Sequence, residues 1–417
     1  MISEVYKSIA VFALLFSPAA AQTRFEGESM GTTWQVTIAS ETNQDLRSAI
    51  QTELDLVDKL MSTWRDDSEI SRFNASDKTD WFPVSKPTAA VVQAALDISA
   101  ASDGAFDVTV SPLIDLWTFD RNTGRGDVPD AAAIKVTRKQ IGWQQLSVRP
   151  DPPALKKSVA TLSVNLSAIA KGYAVDRVAA ALSEAGLESF LVEVGGEVRA
   201  AGLSHRGKPW TIGIEEPADD RREIRSAVPL QDRAMATSGD YRNFYIIDGQ
   251  RYSHTIDPRT GRPVEHALAS VTVLAESCMV ADAWATAISV LGPEAGSRLV
   301  QQQGLTANLI VRTDAGFQDE TLGNFPTVDA APAEPVSPSS MWPVFLAAAI
   351  VFLLAIGGMA VGVIISNRRL KGSCGGLAGM KDGAGQTACD LCAIPSAECR
   401  GEGAQAQAES TETPVGS

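Results

Sequence analysis

Asp282 and Thr286, in the segment ADAWATA, stand four residues apart, so a helix places a carboxylate and a hydroxyl on one face. Two hard oxygen donors in that arrangement suit Mg2+, which keeps several waters and shares its shell with substrate phosphates. Lys171 follows a strand-like stretch and opens a helix, so an ammonium and a helix N-terminus both face an anion. His254, one of 3 histidines, is a candidate general base at neutral pH. Singly these are ordinary features: a polar helix stripe, a surface lysine, a structural histidine. Neither a phosphate-binding P-loop nor the dinucleotide fingerprint is present, so a nucleotide has to be held differently.

The elements that must position these groups centre on residues 236–263, ATSGDYRNFYIIDGQRYSHTIDPRTGRP. Phe244, Tyr245, Ile246 and Ile247 run into Asp248-Gly249, a pair suited to the positive φ of a type I′ hairpin turn, and His254 lies on the returning strand. Upstream, alternation predicts a strand over 33–38, and Leu46, Ile50, Leu54, Val57 and Met61 recur at helical spacing. RDDSEISRFN reads as polar loop with a short helical turn, followed by a helix over 88–102. AFDVTVSPL, from Ala105, reads as a strand and a Pro-led turn, residues 120–130 as a solvated insertion, and 161–166 as a strand leading to a helix over 173–184. A strand over 190–194 ends in Gly195-Gly196-Glu197, where missing side chains permit close approach of a ligand or another backbone. Strands over 210–214, 270–274 and 305–311 and a helix over 278–290 complete a mixed order that argues α+β rather than a doubly wound sheet.

A chain of 417 residues holds one large or two medium domains. With 36 basic against 50 acidic residues, a net charge of −14 argues against nucleic acid or an anionic membrane surface as main partner. Cys278 stands alone in the central part, which therefore forms no internal disulfide, while Cys374, Cys389, Cys392 and Cys399 crowd the end. Residues 1–21 carry Lys7, an apolar run over 9–16 and small residues at Ala19 and Ala21, the pattern of a cleavable secretory signal. An uncharged apolar run over 344–365 matches the roughly 20 residues a bilayer requires, and Arg368, Arg369 and Lys371 follow it. By the positive-inside rule those charges stay cytoplasmic, which puts residues 22–340 outside the membrane and the cysteine-rich tail inside. The expected boundaries are a signal over 1–21, a large domain over 22–326, a Pro/Ser/Ala linker over 327–340, a membrane helix over 341–366, a cysteine-rich tail over 367–400 and a disordered end over 401–417.

MGTTW at Met30, MSTWRDDSEISRFN at Met61, AFDVTVSPL at Ala105, NLSAIAKGYAVD at Asn165, GGE at Gly195, ATSGDYRN at Ala236, RYSHTIDPRTGRP at Arg251 and ADAWATA at Ala281 occur in that order. Together they closely resemble the ApbE family of flavin transferases, over roughly residues 24–326. The resemblance implies an α+β flavin transferase fold and extracytoplasmic flavinylation. In that reaction FAD is cleaved at its pyrophosphate, AMP leaves, and FMN is joined through a phosphoester to a threonine of an acceptor protein. Carried over by position, flavin contacts fall on Met30, Trp64, Ala105, Phe106, Asp107, Asn165, Lys171 and Ile256, and Mg2+ falls on the backbone carbonyl of Ala168 with Asp282 and Thr286. His254 and Lys171 take the catalytic roles. Asn165 departs from the Asp common in the family, so a neutral amide serves there, and Trp64 stands where other members have Tyr. Two alternatives are an FAD pyrophosphatase that releases FMN and AMP, and an FAD-binding or trafficking protein without transfer.

The tail argues separately. KGSCGGL at Lys371, CDLC at Cys389 and the last cysteine, Cys399, give four thiols on the reducing side, a set that suits iron or zinc. An apolar span followed by KGSCGGL and clustered cysteines resembles NqrM, the maturation factor of the sodium-pumping NADH:quinone oxidoreductase. That resemblance implies help in installing the complex's iron centre, and it makes Nqr or Rnf subunits the expected flavin acceptors.

Overall fold

Eight strands that follow one another along the chain form a single antiparallel sheet: β1 (Thr23–Ser29), β2 (Thr32–Ile38), β3 (Phe190–Val194), β4 (Glu197–Ala201), β5 (Arg233–Gly239), β6 (Leu268–Ala275), β7 (Thr306–Thr313) and β8 (Gly316–Leu322). The computed structural model describes residues 22–117, 128–218, 223–241, 244–247, 250–326 and 328–329, with 350, 352–353 and 356. Long insertions hang on four of the sheet's connections: residues 39–189 between β2 and β3, 202–232 between β4 and β5, 240–267 between β5 and β6, and 276–305 between β6 and β7.

Alternation along the strands sorts the core into two layers, because successive side chains leave opposite faces of a sheet. Ala234 and Ala236, Val271 and Val273, and Ala307 and Leu309 face the larger cluster. Their neighbours Met235, Leu274 and Ile310 face a smaller one with Trp210, Val228 and Phe325. Helices cover the first face: α3 (Ala170–Glu184) and α4 (Cys278–Gln303) touch the sheet, while α1 (Leu46–Met61) packs on α3 and α2 (Lys86–Ala101) on α4. A small sheet of Trp210–Glu215, Ile224–Leu230 and Val328–Asp329 belongs to the second cluster. All five apolar residues that predicted α1 are buried, each contributing about 1.5–3 kcal/mol.

Two expected strands do not form. Over 105–109 the Asp107 Oδ1 accepts the Thr109 amide at 2.8 Å and its hydroxyl at 2.6 Å, so the backbone turns locally and Ser111–Leu116 becomes a short helix. Over 161–166 the backbone pairs with a side chain: Asn74 Nδ2 donates to the Val164 carbonyl at 2.8 Å, and Asn74 Oδ1 accepts the Val164 amide at 2.7 Å. The other strands and helices predicted within residues 22–326 are present. α4 runs to Gln303 through an interruption at Gly292-Pro293.

Residues 1–330 and 331–417 are separate compact units. In the second, Ile350, Phe352, Leu353 and Ile356 are helical and exposed. Among the described residues no helix is long and apolar enough to cross a membrane. The expected signal, most of the linker, the expected membrane helix apart from those four residues, the four tail cysteines and most of the 120–130 insertion lie outside the described residues.

Candidate active site

The helix-covered side of the sheet meets the 240–267 insertion around a cavity of about 960 Å3. Ala105, Phe106, Asp107, Asn165, Ala168, Lys171, His254, Ile256, Asp282 and Thr286 all line it, drawn from four segments of sequence. Met30 and Trp64 are not on this wall. Met30 packs on the large core, and Trp64 is 74% exposed in the loop after α1.

Asn165 starts the first wall. Its amide donates to the Val108 carbonyl at 2.7 Å and its Oδ1 accepts the Ser167 amide at 2.9 Å, an Asx turn that an Asp would form equally well. The turn brings Ala168 to the cavity and puts Lys171 in the first turn of α3. The Asp107 carboxylate is engaged elsewhere: besides Thr109, its Oδ2 accepts the Trp143 amide at 3.0 Å, and burial pushes its carboxyl above the usual range. It braces the wall with that carboxylate.

Helices α3 and α4 cap one another. Asp176 of α3 accepts the Cys278 and Met279 amides at the start of α4, each at 3.0 Å. Asp282 of α4 returns the contact, its Oδ2 accepting the Gly172 amide near the start of α3 at 3.1 Å. Each aspartate thus meets the positive end of the opposite helix. One turn beyond Asp282, the Thr286 Oγ1 lies 3.3 Å from Ser238 Oγ of β5.

Glu197 is the residue that sequence reasoning left without a role. A two-residue turn at Gly195-Gly196, with φ of 62° and 104°, closes the β3–β4 hairpin. Both angles are in the left-handed region that favours glycine. A Cβ at Gly195 would also stand 2.9 Å from Thr32 Cγ2 and 3.3 Å from Lys171 Cδ. Glu197 then opens β4 on the helix side, with its Oε1 2.5 Å from Lys171 Nζ and its Oε2 buried without a hydrogen-bond partner. Arg199, two residues on, pairs with Asp176 of α3. That charge alternation at 197 and 199 against 171 and 176 was the available signal.

The electrostatics follow from two buried carboxylates facing one ammonium. Glu197 and Asp282 are 3% and 4% exposed. Burial, then Asp282, push Glu197 up to about 8, with Lys171 opposing. Burial likewise raises Asp282. Burial works against charge on Lys171, but Glu197 and Asp282 outweigh it and hold the ammonium at about 12. Lys171 is therefore a fixed cation at neutral pH.

The insertion supplies the opposite wall. Phe244–Ile247 and Gln250–Ser253 pair as predicted, the turn residues 248–249 lying outside the described set. His254, Thr255, Ile256 and Pro258 follow onto the cavity. Ile256 is buried in a third cluster with Trp117 and Tyr252, and Trp117 Nε1 donates to the Gly261 carbonyl at 2.9 Å, tying down the Asp257–Gly261 turn. At the insertion's start, Arg312 of β7 makes a two-pronged pair with Asp240, at 2.8 and 2.5 Å.

The Mg2+ that the resemblance implies fits these donors. Asp282, Thr286 and the Ala168 carbonyl are all oxygen, and the surplus carboxylate charge, with Glu197 Oε2 left bare, is what a divalent cation offsets. Among the described residues no three His, Cys, Asp or Glu side chains gather as a metal cluster, so the set is mixed.

Comparison with known proteins agrees with this architecture. Residues 30–309 match the ApbE family, and residues 363–412 match (Na+)-NQR maturation NqrM. The FAD:protein FMN transferase of Vibrio cholerae (strain O395) is 41% identical over 310 residues, covering 73% of this chain and 92% of the relative. That of Klebsiella pneumoniae (strain 342) is 39% identical over 307 residues, covering 72% and 88%. The solved flavin transferase ApbE from Vibrio cholerae aligns with a TM-score of 0.66 at 40% identity, covering 72% of this chain and 97% of that one. The apo flavinyl transferase ApbE of Pseudomonas stutzeri aligns at 0.65 and 40%, covering 72% and 94%. The chain therefore belongs to the ApbE family of flavin transferases and carries a second, NqrM-matching segment at its C-terminal end.

Proposed function

We propose that this chain is an FAD:protein FMN transferase that acts on a threonine of an extracytoplasmic acceptor protein. The observation that carries the reading is that one cavity is lined by Lys171, Asp282 and Thr286 together with His254 and Ile256. FAD lies in it with the pyrophosphate toward Lys171. The threonine Oγ bonds to the phosphorus on the flavin side and gives its proton to His254. The bond from that phosphorus to the bridging oxygen breaks, and AMP leaves with that oxygen. Lys171, held charged, faces the phosphate oxygens as negative charge shifts onto the leaving group. Ala168, Asp282 and Thr286 would hold Mg2+, which would offset pyrophosphate charge as a Lewis acid. Ile256 and Phe106 supply apolar surface to the ligand.

The sequence patterns at 1–21 and 344–371 support a periplasmic catalytic domain anchored in the inner membrane, with the tail in the cytoplasm. The NqrM match supports a role for Cys374, Cys389, Cys392 and Cys399 in iron or zinc handling, and for Nqr or Rnf subunits as acceptors.

The test incubates residues 22–330 with FAD, Mg2+ and a threonine-bearing acceptor, then weighs the acceptor. A gain of one FMN is the expected result. Free FMN with an unchanged acceptor would establish a pyrophosphatase instead, and intact FAD a carrier.

A further inference from the structure

Lys171 has two buried carboxylates to choose between, and the structure gives it to Glu197. The ammonium sits 2.5 Å from Glu197 Oε1, while Asp282 spends its Oδ2 on the Gly172 amide. Lys171 and Gly172 are adjacent on α3, so the ammonium's stem starts beside the contact that holds Asp282. A lysine stem is long and flexible enough to turn toward whichever anion is left unanswered. The Gly195 turn narrows that freedom on one side, since an added Cβ there would stand only 3.3 Å from Lys171 Cδ.

Resting on the transferase reading above, we propose that Glu197 is a positioning residue: it holds the Lys171 ammonium away from Asp282 and so keeps the Asp282 carboxylate open to a divalent cation. Without Glu197, the buried carboxylate left to Lys171 is Asp282, since Glu193, which also acts on Lys171, is only partly buried and its Oε1 accepts the Gly196 amide at 2.7 Å. An internal ion pair then competes with the cation for the same carboxylate. The role differs from simple charge supply, because it depends on the reach of the side chain as well as its sign.

The experiment is a calorimetric titration of Mg2+ into residues 22–330 at about pH 9, above the Glu197 value of about 8 so that its carboxylate is ionised, without FAD or acceptor and with intact folding checked by circular dichroism. Glu197→Gln is expected to weaken Mg2+ binding about tenfold, the scale of coupling between groups in contact. Glu197→Asp keeps the charge and shortens the reach by one methylene, so it is expected to weaken binding in the same direction. Lys171→Met, which removes a cation coupled to Asp282, should raise affinity by a larger factor in the Glu197→Gln background than in the parent. Glu197→Asp at parental affinity, or additive effects of Glu197→Gln and Lys171→Met, overturns the proposal by reducing Glu197 to background charge. Should Glu197→Gln fail to fold, Glu197→Asp with Lys171→Met gives the same cycle. A parent domain that binds no Mg2+ overturns the metal assignment itself, a separate outcome.

Discussion

The amide of Gly172 donates to Asp282 Oδ2 at 3.1 Å across 110 positions of sequence, and this bond joins the start of α3 to the second turn of α4. The contact is close because position 172 has no side chain. A Cβ there would fall 2.8 Å from Met279 Cα and nearer still to the Cys278 carbonyl.

Gly172→Ala is therefore expected to push the two helices apart, costing about 1–3 kcal/mol as overpacking does. Transfer should fall in step, because Asp282 moves with α4. Thermal denaturation beside acceptor mass shift checks both, and an alanine variant with parental melting and turnover would show that the helices can separate freely.

Asp282→Asn keeps an oxygen for the Gly172 amide and removes the charge. The fold should survive nearly unchanged, while Mg2+-dependent transfer drops at least about a hundredfold, the scale of losing several kcal/mol of charge stabilisation. Rates across a Mg2+ series measure this, and full activity in the variant would remove Asp282 from the metal set.

Glu197 sets a pH dependence. Its folded-state value of about 8 lies above the 4.5 of an exposed glutamate, the causes being burial and then Asp282. The folded protein binds that proton more tightly than the unfolded chain, so this contribution to stability is complete below about 4.5 and is lost as pH rises through about 8. Asp282, also raised by burial, acts in the same direction. The melting temperature of the metal-free domain should fall between about pH 5 and about pH 8, and Glu197→Gln should flatten the slope.

His254→Ala should lower the rate of transfer by about a hundredfold or more, the usual scale of a general base, with FAD affinity nearly kept. Single-turnover rates and fluorescence titration of FAD separate the two. An unchanged rate would exclude His254 as the proton acceptor.

Trp64 makes the opposite forecast. At 74% exposure it contributes little to packing, so Trp64→Ala should alter stability by less than about 0.5 kcal/mol. The family resemblance nevertheless makes it a flavin contact, and FAD affinity should fall about tenfold as an aromatic stacking surface is lost. Parental affinity would leave Trp64 an ordinary surface residue.

What the sequence alone determined was local. Helical spacing fixed α1, alternation fixed β2, and the i, i+4 relation put Asp282 and Thr286 on one face, since backbone periodicity decides these without a partner. The order of motifs identified the family for the same reason: it is written along the chain. Tertiary structure decided the rest, by choosing among partners far apart. It gave Val164 to Asn74 and so dissolved an expected strand, spent the Asp107 carboxylate on Thr109 and Trp143, and left Met30 and Trp64 off the cavity wall. It also set Glu197 against Lys171, 26 residues away. A buried polar group has to find its partner, and which one lies within reach depends on how the sheet and helices pack.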